Sequence, residues 1–332
     1  MFSRKAKSSS ASPFVGFETL EQRKLLSATL HNGTLSIQGT FKDDNIGVHL
    51  RDDGRLEVHV NKEVNDFDPS QISLIRVESF RGDDNIHFDD DGGPISITTR
   101  IYGAGGNDTI SGGATRDRIH GDDGNDVILG NGGKDIIYGD TGDDSISGGV
   151  GKDFEHGDAG DDSISGDRDN DTCFGGDGRD SIRGGDGNDH LGGDTNPDSI
   201  FGDAGDDSID GGGGNDDVNG DVGDDSINGG AGDDNLHGGL DDDSIDGGSG
   251  DDDCSGDDGT NHVHGGEGND DFSDNDVNDD RGGDDDGNND HGDDDGTTDD
   301  HGGDDGATHD IGDDNGGGGG HGADDMVARL MP

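Results

Sequence analysis

The sequence lacks most of the residues from which an ordinary globular core is built. Its 332 residues include no tryptophan, two tyrosines and two cysteines, and only 23% are hydrophobic. This small apolar surface cannot offset the conformational entropy that a chain of this length loses on folding. Composition alone therefore predicts disorder. No stretch approaches 18 consecutive apolar residues, and the sequence therefore predicts no transmembrane segment.

Basic residues are also scarce. The chain has 21 Lys and Arg against 82 Asp and Glu, which gives a net charge of -61. Nucleic acid and anionic membranes would be repelled by such a chain, so neither is expected as a partner. Cations are the natural partners of this composition.

Glycine and aspartate are abundant, and they recur with a period of nine. Residues 103–273 divide into 19 rows of nine, with glycine first in every row, glycine fourth in 15, aspartate sixth in 18 and an apolar residue eighth in 18. Random placement of 70 glycines among 332 residues would put one at a given position in about a fifth of the rows. The row is therefore a structural unit rather than a low-complexity linker.

Each row predicts a very short strand between turns. Glycine at the first and fourth positions predicts positive φ and close backbone approach. The last three residues of a row, such as 145–147, alternate polar, apolar, polar, which predicts a strand about 10 Å long whose eighth residue points inward. A strand this short must stack on neighbouring strands to be stable.

The rows resemble the hemolysin-type RTX repeat, G-G-x-G-x-D-x-U-x, where U is apolar. Residues 175–183 (GGDGRDSIR) and 184–192 (GGDGNDHLG) fit every fixed position. The resemblance implies an all-β fold, a parallel β-roll (β-solenoid) in which two rows form one 18-residue coil and Ca²⁺ binds between neighbouring turns. It implies that the ligands are glycine-turn carbonyls and the sixth-position aspartates. These are Asp108, Asp117, Asp126, Asp135, Asp144, Asp153, Asp162, Asp171, Asp180, Asp189, Asp198, Asp207, Asp216, Asp225, Asp234, Asp243, Asp252 and Asp270.

Electrostatics also favours a bound cation. With 18 residues per coil, Asp108, Asp126 and Asp144 stack in one file at about 4.8 Å intervals. At an effective dielectric constant near 20, two such carboxylates repel by about 3.5 kcal/mol. Ca²⁺ suits a flexible all-oxygen shell better than Mg²⁺ does, and about 17 calcium ions would offset most of the net charge of -39 that 46 acids and 7 bases give residues 103–273. We expect the chain to be unfolded without calcium and folded with it.

The regions before and after the repeats are less regular. In residues 29–102, Asn32 and Gly33 predict a hairpin turn, and alternating apolar residues over 45–60 predict two strands. We interpret this region as a β-rich cap of longer rungs on the solenoid, with a small separate β-domain as the alternative. Residues 274–332 are a degenerate acidic Gly/Asp/His tail, predicted to be disordered or calcium-condensed.

Residues 1–28 are predicted to be a disordered leader that carries a sorting motif. The segment FETLEQRKLLSA, residues 17–28, resembles the LEPR-XLL type of N-terminal sorting motif found on large bacterial surface and secreted proteins. Leu20, Glu21 and Arg23 fit that motif, as do residues 25–28, whereas Gln22 stands where the pattern has proline. The resemblance implies an extracellular or cell-surface location.

Catalytic motifs are not found in the sequence. It has no H-E-x-x-H, no G-x-S-x-G and no Walker loop. We therefore predict a protein that is not an enzyme, a calcium-binding structural or adhesive repeat protein with a cell-surface or extracellular-matrix partner. The alternatives are a calcium buffer, or a subunit of a secreted toxin or hydrolase whose activity lies in residues 29–102.

Two further predictions follow from the row register. Cys173 and Cys254 occupy inward positions nine rows apart, so they lie on opposite sheets and roughly 21 Å apart along the axis, beyond the 7 Å reach of a disulfide. Both are predicted to be buried free thiols. Departures from the repeat, among them Thr115, Glu155 and Asn261, fall mainly in even-numbered rows, so the aspartates of odd rows are predicted to bind calcium more tightly than those of even rows.

Overall fold

A computed structural model describes residues 27–89 and 93–272, and these residues form two parallel β-sheets that share one core. The predicted tail and residues 1–26 of the predicted leader lie outside the described residues. The last two residues of the sorting motif, Ser27 and Ala28, are described, and Ala28 begins the first strand. Within the described part of the chain no helix is long and apolar enough to cross a membrane. One short 3-10 helix, η1, spans Pro69–Gln71.

The strands follow one another along the chain with short connections. They are β1 (Ala28–His31), β2 (Thr34–Gln38), β3 (Asn45–Leu50), β4 (Leu56–Val60), β5 (Glu63–Phe67), β6 (Leu74–Glu78), β7 (Asn85–Asp89), β8 (Thr99–Gly105), β9 (Thr109–Ser111), β10 (Asp117–Asp123), β11 (Val127–Leu129), β12 (Gly132–Gly133), β13 (Ile136–Thr141), β14 (Ser145–Gly151), β15 (Phe154–Ala159), β16 (Ser163–Arg168), β17 (Thr172–Asp177), β18 (Ser181–Asp186), β19 (His190–Thr195), β20 (Ser199–Ala204), β21 (Ser208–Gly213), β22 (Asp217–Val222), β23 (Ser226–Ala231), β24 (Asn235–Leu240), β25 (Ser244–Ser249), β26 (Asp253–Asp258), β27 (His262–Glu267) and β28 (Asp271–Phe272).

Successive rows alternate between the two sheets. The first sheet has the order β1, β2, β6, β8, β10 and then the odd-numbered strands from β13 to β27. The second has the order β5, β4, β3, β7, β9, β11 and then the even-numbered strands from β14 to β28, with β12 beside β14. In the repeats each strand pairs in parallel with the strand 18 residues later, as Ile146 does with Ile164 and Ile164 with Ile182. The predicted parallel β-solenoid of two-row coils is confirmed.

Most strands of the repeats are twice as long as the row pattern predicts. The predicted three-residue strand continues through the first three positions of the next row, as in β16 and β18. The extension arises because the glycine-rich positions also pair with their equivalents one coil away, for example Gly149 with Asp167. Residues 18 apart share one backbone conformation, so the irregular glycine-rich segment of one coil can pair in parallel with the same segment of the next coil.

Positive φ falls at the second and fourth positions of the row, and the prediction of positive φ at the first position is wrong. Gly124, at a fourth position, has φ 143°, and Asp167, at a second position, has φ 74°. Asp169 and Asn196 replace glycine at fourth positions and still adopt positive φ, of 72° and 74°. Thr115 lies outside the left-handed region, as expected for a β-branched residue.

The core is a stack of single inward side chains, one from each row. The eighth-position residues of the described rows, such as Ile110 and Ile128, are buried up to row 18, as predicted, whereas Phe272 in the last row is half-buried. Cys173 lies in the first sheet and Cys254 in the second, and both are buried and free, which confirms the prediction made for them.

Antiparallel strands close the N-terminal end of the solenoid. The β1–β2 hairpin turns at Asn32 and Gly33, where both φ values are positive, as the sequence predicts. In the second sheet, β3 pairs antiparallel with β4 and β4 with β5. Strands β2 and β6 continue the first sheet, and β3 and β7 the second, so residues 28–89 extend the repeat sheets rather than form a sheet of their own.

Candidate metal centre

The sixth-position aspartates form a ladder of side-chain-to-backbone hydrogen bonds along each side of the solenoid. The Oδ1 atom of Asp126 accepts from the backbone N–H of Asp108 at 2.6 Å, and Oδ1 of Asp144 accepts from the N–H of Asp126 at 2.7 Å. These N–H groups lie in turns, where no strand carbonyl faces them, so the side chain satisfies a backbone donor that would otherwise be buried without a partner. The ladder also fixes the orientation of each carboxylate.

The structure brings the predicted aspartates together in two files. The odd-row file runs from Asp108 to Asp270 and the even-row file from Asp117 to Asp243, each with one aspartate every 18 residues. The odd-row file continues into the cap, where Asp84 donates its N–H to Asp108 and Asp44 donates its N–H to Asp84, both at 2.7 Å. The even-row file ends at Asn261, whose Oδ1 accepts from Asp243 at 2.8 Å.

The second carboxylate oxygen, Oδ2, is buried and has no hydrogen-bond partner in sixteen of the eighteen predicted aspartates. The same holds for Asp84, which was not among the predicted residues. An unpartnered buried carboxylate oxygen costs at least about 1–3 kcal/mol, and here the cost recurs in every coil. A cost that recurs in every coil indicates that a bound ligand, and not a group of the polypeptide, satisfies these oxygens.

In nearly every row, a backbone carbonyl oxygen from the next coil lies near the same space as Oδ2. Gly211 shows the geometry: an added Cβ would lie 2.7 Å from Oδ2 of Asp216 and 2.5 Å from the carbonyl oxygen of Gly229. The two oxygens thus converge on the space that glycine leaves open at the first position. Glycine is required there for close approach and not for its backbone conformation.

Burial raises the pKa of these carboxyl groups. The pKa is about 8 for Asp108, Asp135 and Asp207, where desolvation is the main cause and neighbouring aspartates of the same file add to it. It is about 6 for Asp126 and Asp180, again because of burial. At neutral pH these files are therefore held in a charged form only at a cost, which a cation would remove.

Two predicted ligands differ from the others. Both oxygens of Asp117 accept hydrogen bonds: Oδ1 from the hydroxyl of Thr99 at 2.8 Å, and Oδ2 from the N–H of Gly113 at 2.6 Å. Asp270, at the other end of the odd-row file, is only half-buried. Asp44 resembles Asp117, because Thr40 and Asn61 donate to its carboxylate. Asp44 and Asp117 are thus the satisfied ends of the two files.

Side chains alone do not make a metal centre here. Among residues 27–89 and 93–272, no three His, Cys, Asp or Glu side chains converge. Any cation between the turns must therefore take backbone carbonyls as well as carboxylates. An all-oxygen set of this kind suits Ca²⁺, which accepts mixed carboxylate and carbonyl shells, and does not suit zinc or copper.

The family comparison agrees with this geometry. The model of the RTX calcium-binding nonapeptide repeat matches residues 102–137, 120–155, 129–164, 148–182, 165–196, 192–227, 219–254 and 255–276, which together cover more than half of the chain. The chain belongs to this family. RTX repeats bind Ca²⁺, so calcium is the cofactor of this protein. A search of curated proteins finds no match to the chain.

Two residues outside the predicted ligand set also have carboxylates at these turns. Asp84 aligns with the odd-row file, and the signal for it was the segment RGDDNI, which repeats the spacing of the later rows. Glu155 is the one inward residue of the 19 rows that is not apolar. It is fully buried, and burial, together with Asp171 and Asp153 nearby, raises its pKa well above the usual value.

Proposed function

We propose that the protein is an extracellular or cell-surface structural or adhesive protein whose β-roll folds when calcium binds to both aspartate files. The observation that carries this proposal is the set of seventeen buried Oδ2 atoms without a partner. We assign as ligands the sixteen predicted aspartates of this set and Asp84, with the first-position glycine carbonyls. Asp117 is then a structural end of its file, and Asp270 a half-buried end site.

Folding and calcium binding are coupled in this assignment. The hydrogen bond at Oδ1 holds each carboxylate so that Oδ2 points at the glycine carbonyl of the next coil. Without a cation, stacked carboxylates repel one another in a partly desolvated site. With calcium bound, the same oxygens join successive coils, so the ion contributes folding free energy directly.

A structural rather than catalytic role is supported by the way the repeats use their residues. Glycine, aspartate and the inward aliphatic residue of each row are all committed to turns, calcium sites and the core. The sequence contains no H-E-x-x-H, G-x-S-x-G or Walker motif. A cell-surface or matrix partner fits a long, regular surface of this kind, and secretion fits calcium dependence because extracellular calcium is abundant.

Circular dichroism of the full chain tests the coupling. We expect coil spectra with excess chelator and β-structure at calcium concentrations of about 10⁻³ M, the range of extracellular modules. Burial raises the pKa of the Cys254 thiol to about 12, and that of Cys173 rises well above its usual value. Both thiols should therefore react with a thiol reagent only after calcium is removed. An unchanged β-spectrum and unreactive thiols in chelator would contradict the proposal.

Cell fractionation tests the location and distinguishes a surface role from a calcium buffer. A structural or adhesive protein should be recovered with the cell envelope or bound to extracellular material. Recovery as an unattached protein in the cytoplasm would contradict this part of the proposal and leave calcium binding intact.

A further inference from the structure

Glu155 lies inside the solenoid at a position that is apolar in every other row. It belongs to β15, with Ile137 one coil before it and Cys173 one coil after it in the same sheet. Its Oε2 atom lies 3.4 Å from the Sγ atom of Cys173, which donates to it. Its Oε1 atom is buried without a hydrogen-bond partner. The residue is fully buried, so bulk solvent does not reach that oxygen.

The unpartnered oxygen of Glu155 points into one of the calcium-binding turns. In a regular row, Oδ2 of the aspartate is among the atoms nearest to the open side of the first-position glycine, as for Gly202 and Asp207. At Gly148, Oε1 of Glu155 is nearest instead. An added Cβ on Gly148 would lie 3.1 Å from both Oδ2 of Asp153 and the carbonyl oxygen of Gly166. Three oxygens therefore converge where other turns have two.

A purely structural role does not account for this arrangement. A carboxyl group buried in an aliphatic core costs several kcal/mol unless it is paired, and isoleucine fills the same position in the next coil towards the N-terminus. Cys173 gives Glu155 one weak donor, which leaves Oε1 unsatisfied. A cation held between Asp153 and Gly166 would satisfy it.

We propose that Glu155 is an additional calcium ligand, which reaches from the core into the even-row site formed by Gly148, Asp153 and Gly166. This site then has one more carboxylate than its neighbours. It therefore holds its ion more tightly than the other sites of the even-row file do. The proposal rests on the assignment of the aspartate files as calcium sites.

The substitution Glu155→Ile distinguishes a calcium ligand from a merely buried acid, because the two roles predict changes of opposite sign in the urea midpoint. If Glu155 binds calcium, the substitution should lower the urea midpoint of the full chain at saturating calcium, although isoleucine restores the regular core. If Glu155 is only a buried acid, the substitution should raise that midpoint, because it removes an unsatisfied polar group. A raised or unchanged midpoint overturns the proposal.

A double-mutant cycle tests whether Glu155 and Asp153 share one ion. Asp153→Asn keeps the Oδ1 acceptor and replaces Oδ2, and in this background Glu155→Ile should cost less than in the wild type. Asp189→Asn, two coils away in the same file, is the matched control and should leave the full cost. Equal costs in both backgrounds overturn the proposal.

Infrared difference spectroscopy of ¹³C-glutamate-labelled protein gives a local signal that does not depend on the stability of the variants. Subtraction of the Glu155→Gln spectrum should isolate a carboxylate band that appears when calcium is added. A protonated-acid band that calcium does not change would overturn the proposal. If the wild type binds no calcium in these titrations, the assignment of the files fails instead, so the two failures are distinguishable.

Discussion

In sixteen of the eighteen predicted aspartates, the two carboxylate oxygens have different surroundings. Oδ1 accepts from a backbone N–H of the preceding coil, and Oδ2 has no partner in the protein and is the atom that we assign to calcium. A single aspartate therefore both orders the turn and supplies charge to it. Asparagine retains the first task and loses the second, as Asn261 does at the end of the even-row file.

Gly211→Ala should disrupt the calcium site that we assign between Asp216 and Gly229. The new Cβ would lie 2.5 Å from the carbonyl oxygen of Gly229 and 2.7 Å from Oδ2 of Asp216, both too close for a carbon atom. We expect a loss of about 1–3 kcal/mol in the free energy of unfolding at saturating calcium, measured by urea titration.

Gly213→Ala is the matched control in the same strand. Its Cβ would have only the carbonyl oxygen of Asp194 near it, at 3.9 Å, which is an ordinary contact. The change in unfolding free energy should stay within about 0.5 kcal/mol. Similar losses for the two variants would show that the space beside Gly211 has no special role.

At the scale of elements, the two aspartate files are unequal. The odd-row file contains ten aspartates with an unpartnered Oδ2, from Asp84 to Asp252, and the even-row file contains seven, from Asp135 to Asp243. A basic residue also lies near the even-row file, where Lys152 lowers the pKa of Asp189 against the larger effect of burial. A positive charge at this place competes with a bound cation. These features support the predicted asymmetry.

Asp180→Ala should cost more calcium-dependent stability than Asp189→Ala. The two aspartates stand in adjacent rows that both fit the repeat fully, Asp180 in the odd-row file and Asp189 in the even-row file. Each variant loses one ligand and one backbone acceptor, worth about 1–3 kcal/mol, and the loss should be greater in the longer file. Urea midpoints at saturating calcium measure the difference, and equal shifts would contradict it.

At the scale of the whole molecule, protonation of the buried aspartates should supply part of the stability that calcium supplies at neutral pH. The pKa of buried aspartates rises from its ordinary value to between about 6 and about 8, as for Asp180 and Asp198. A raised pKa in the folded state contributes stability that is fully present below the ordinary aspartate pKa and is lost as pH rises through the folded value.

The calcium-free chain should therefore gain β-structure on acidification. In excess chelator, we expect circular dichroism to show β-structure near pH 4 that disappears as the pH rises through about 6 to 8. With saturating calcium the same range should show little change. A calcium-free spectrum that stays coil-like at every pH would contradict this prediction.

Side chains outside the aspartate files also stack along the first sheet. The ninth-position residues of even rows lie above one another on the first sheet, and the rings of Tyr102, His120 and Tyr138 are stacked with centroids 5.4 and 4.8 Å apart. The sequence carries rings at these positions at intervals of 18 residues, from Tyr102 to Phe174. The stack exists because parallel pairing places residues that are 18 apart next to each other.

The sequence by itself determined the coil. A strict period of nine decided which residues repeat, which side chain points inward and that Cys173 and Cys254 cannot meet. It also indicated the cation, because stacked carboxylates in a glycine-rich chain need a hard ion with oxygen ligands. These properties depend only on spacing and composition, which the chain displays directly.

Only the tertiary structure decided how each turn uses its atoms. Asp117 and Asp135 both stand at the sixth position of their rows. Thr99 and Gly113 donate to both oxygens of Asp117, whereas Oδ2 of Asp135 has no partner. Glu155 reads as a defect in its row, and its contact with the turn of Gly148 is visible only in three dimensions. The physical reason is that a carboxylate oxygen is satisfied by donors whose positions depend on the local conformation of its own turn and on the neighbouring coil, and a one-dimensional period does not specify them.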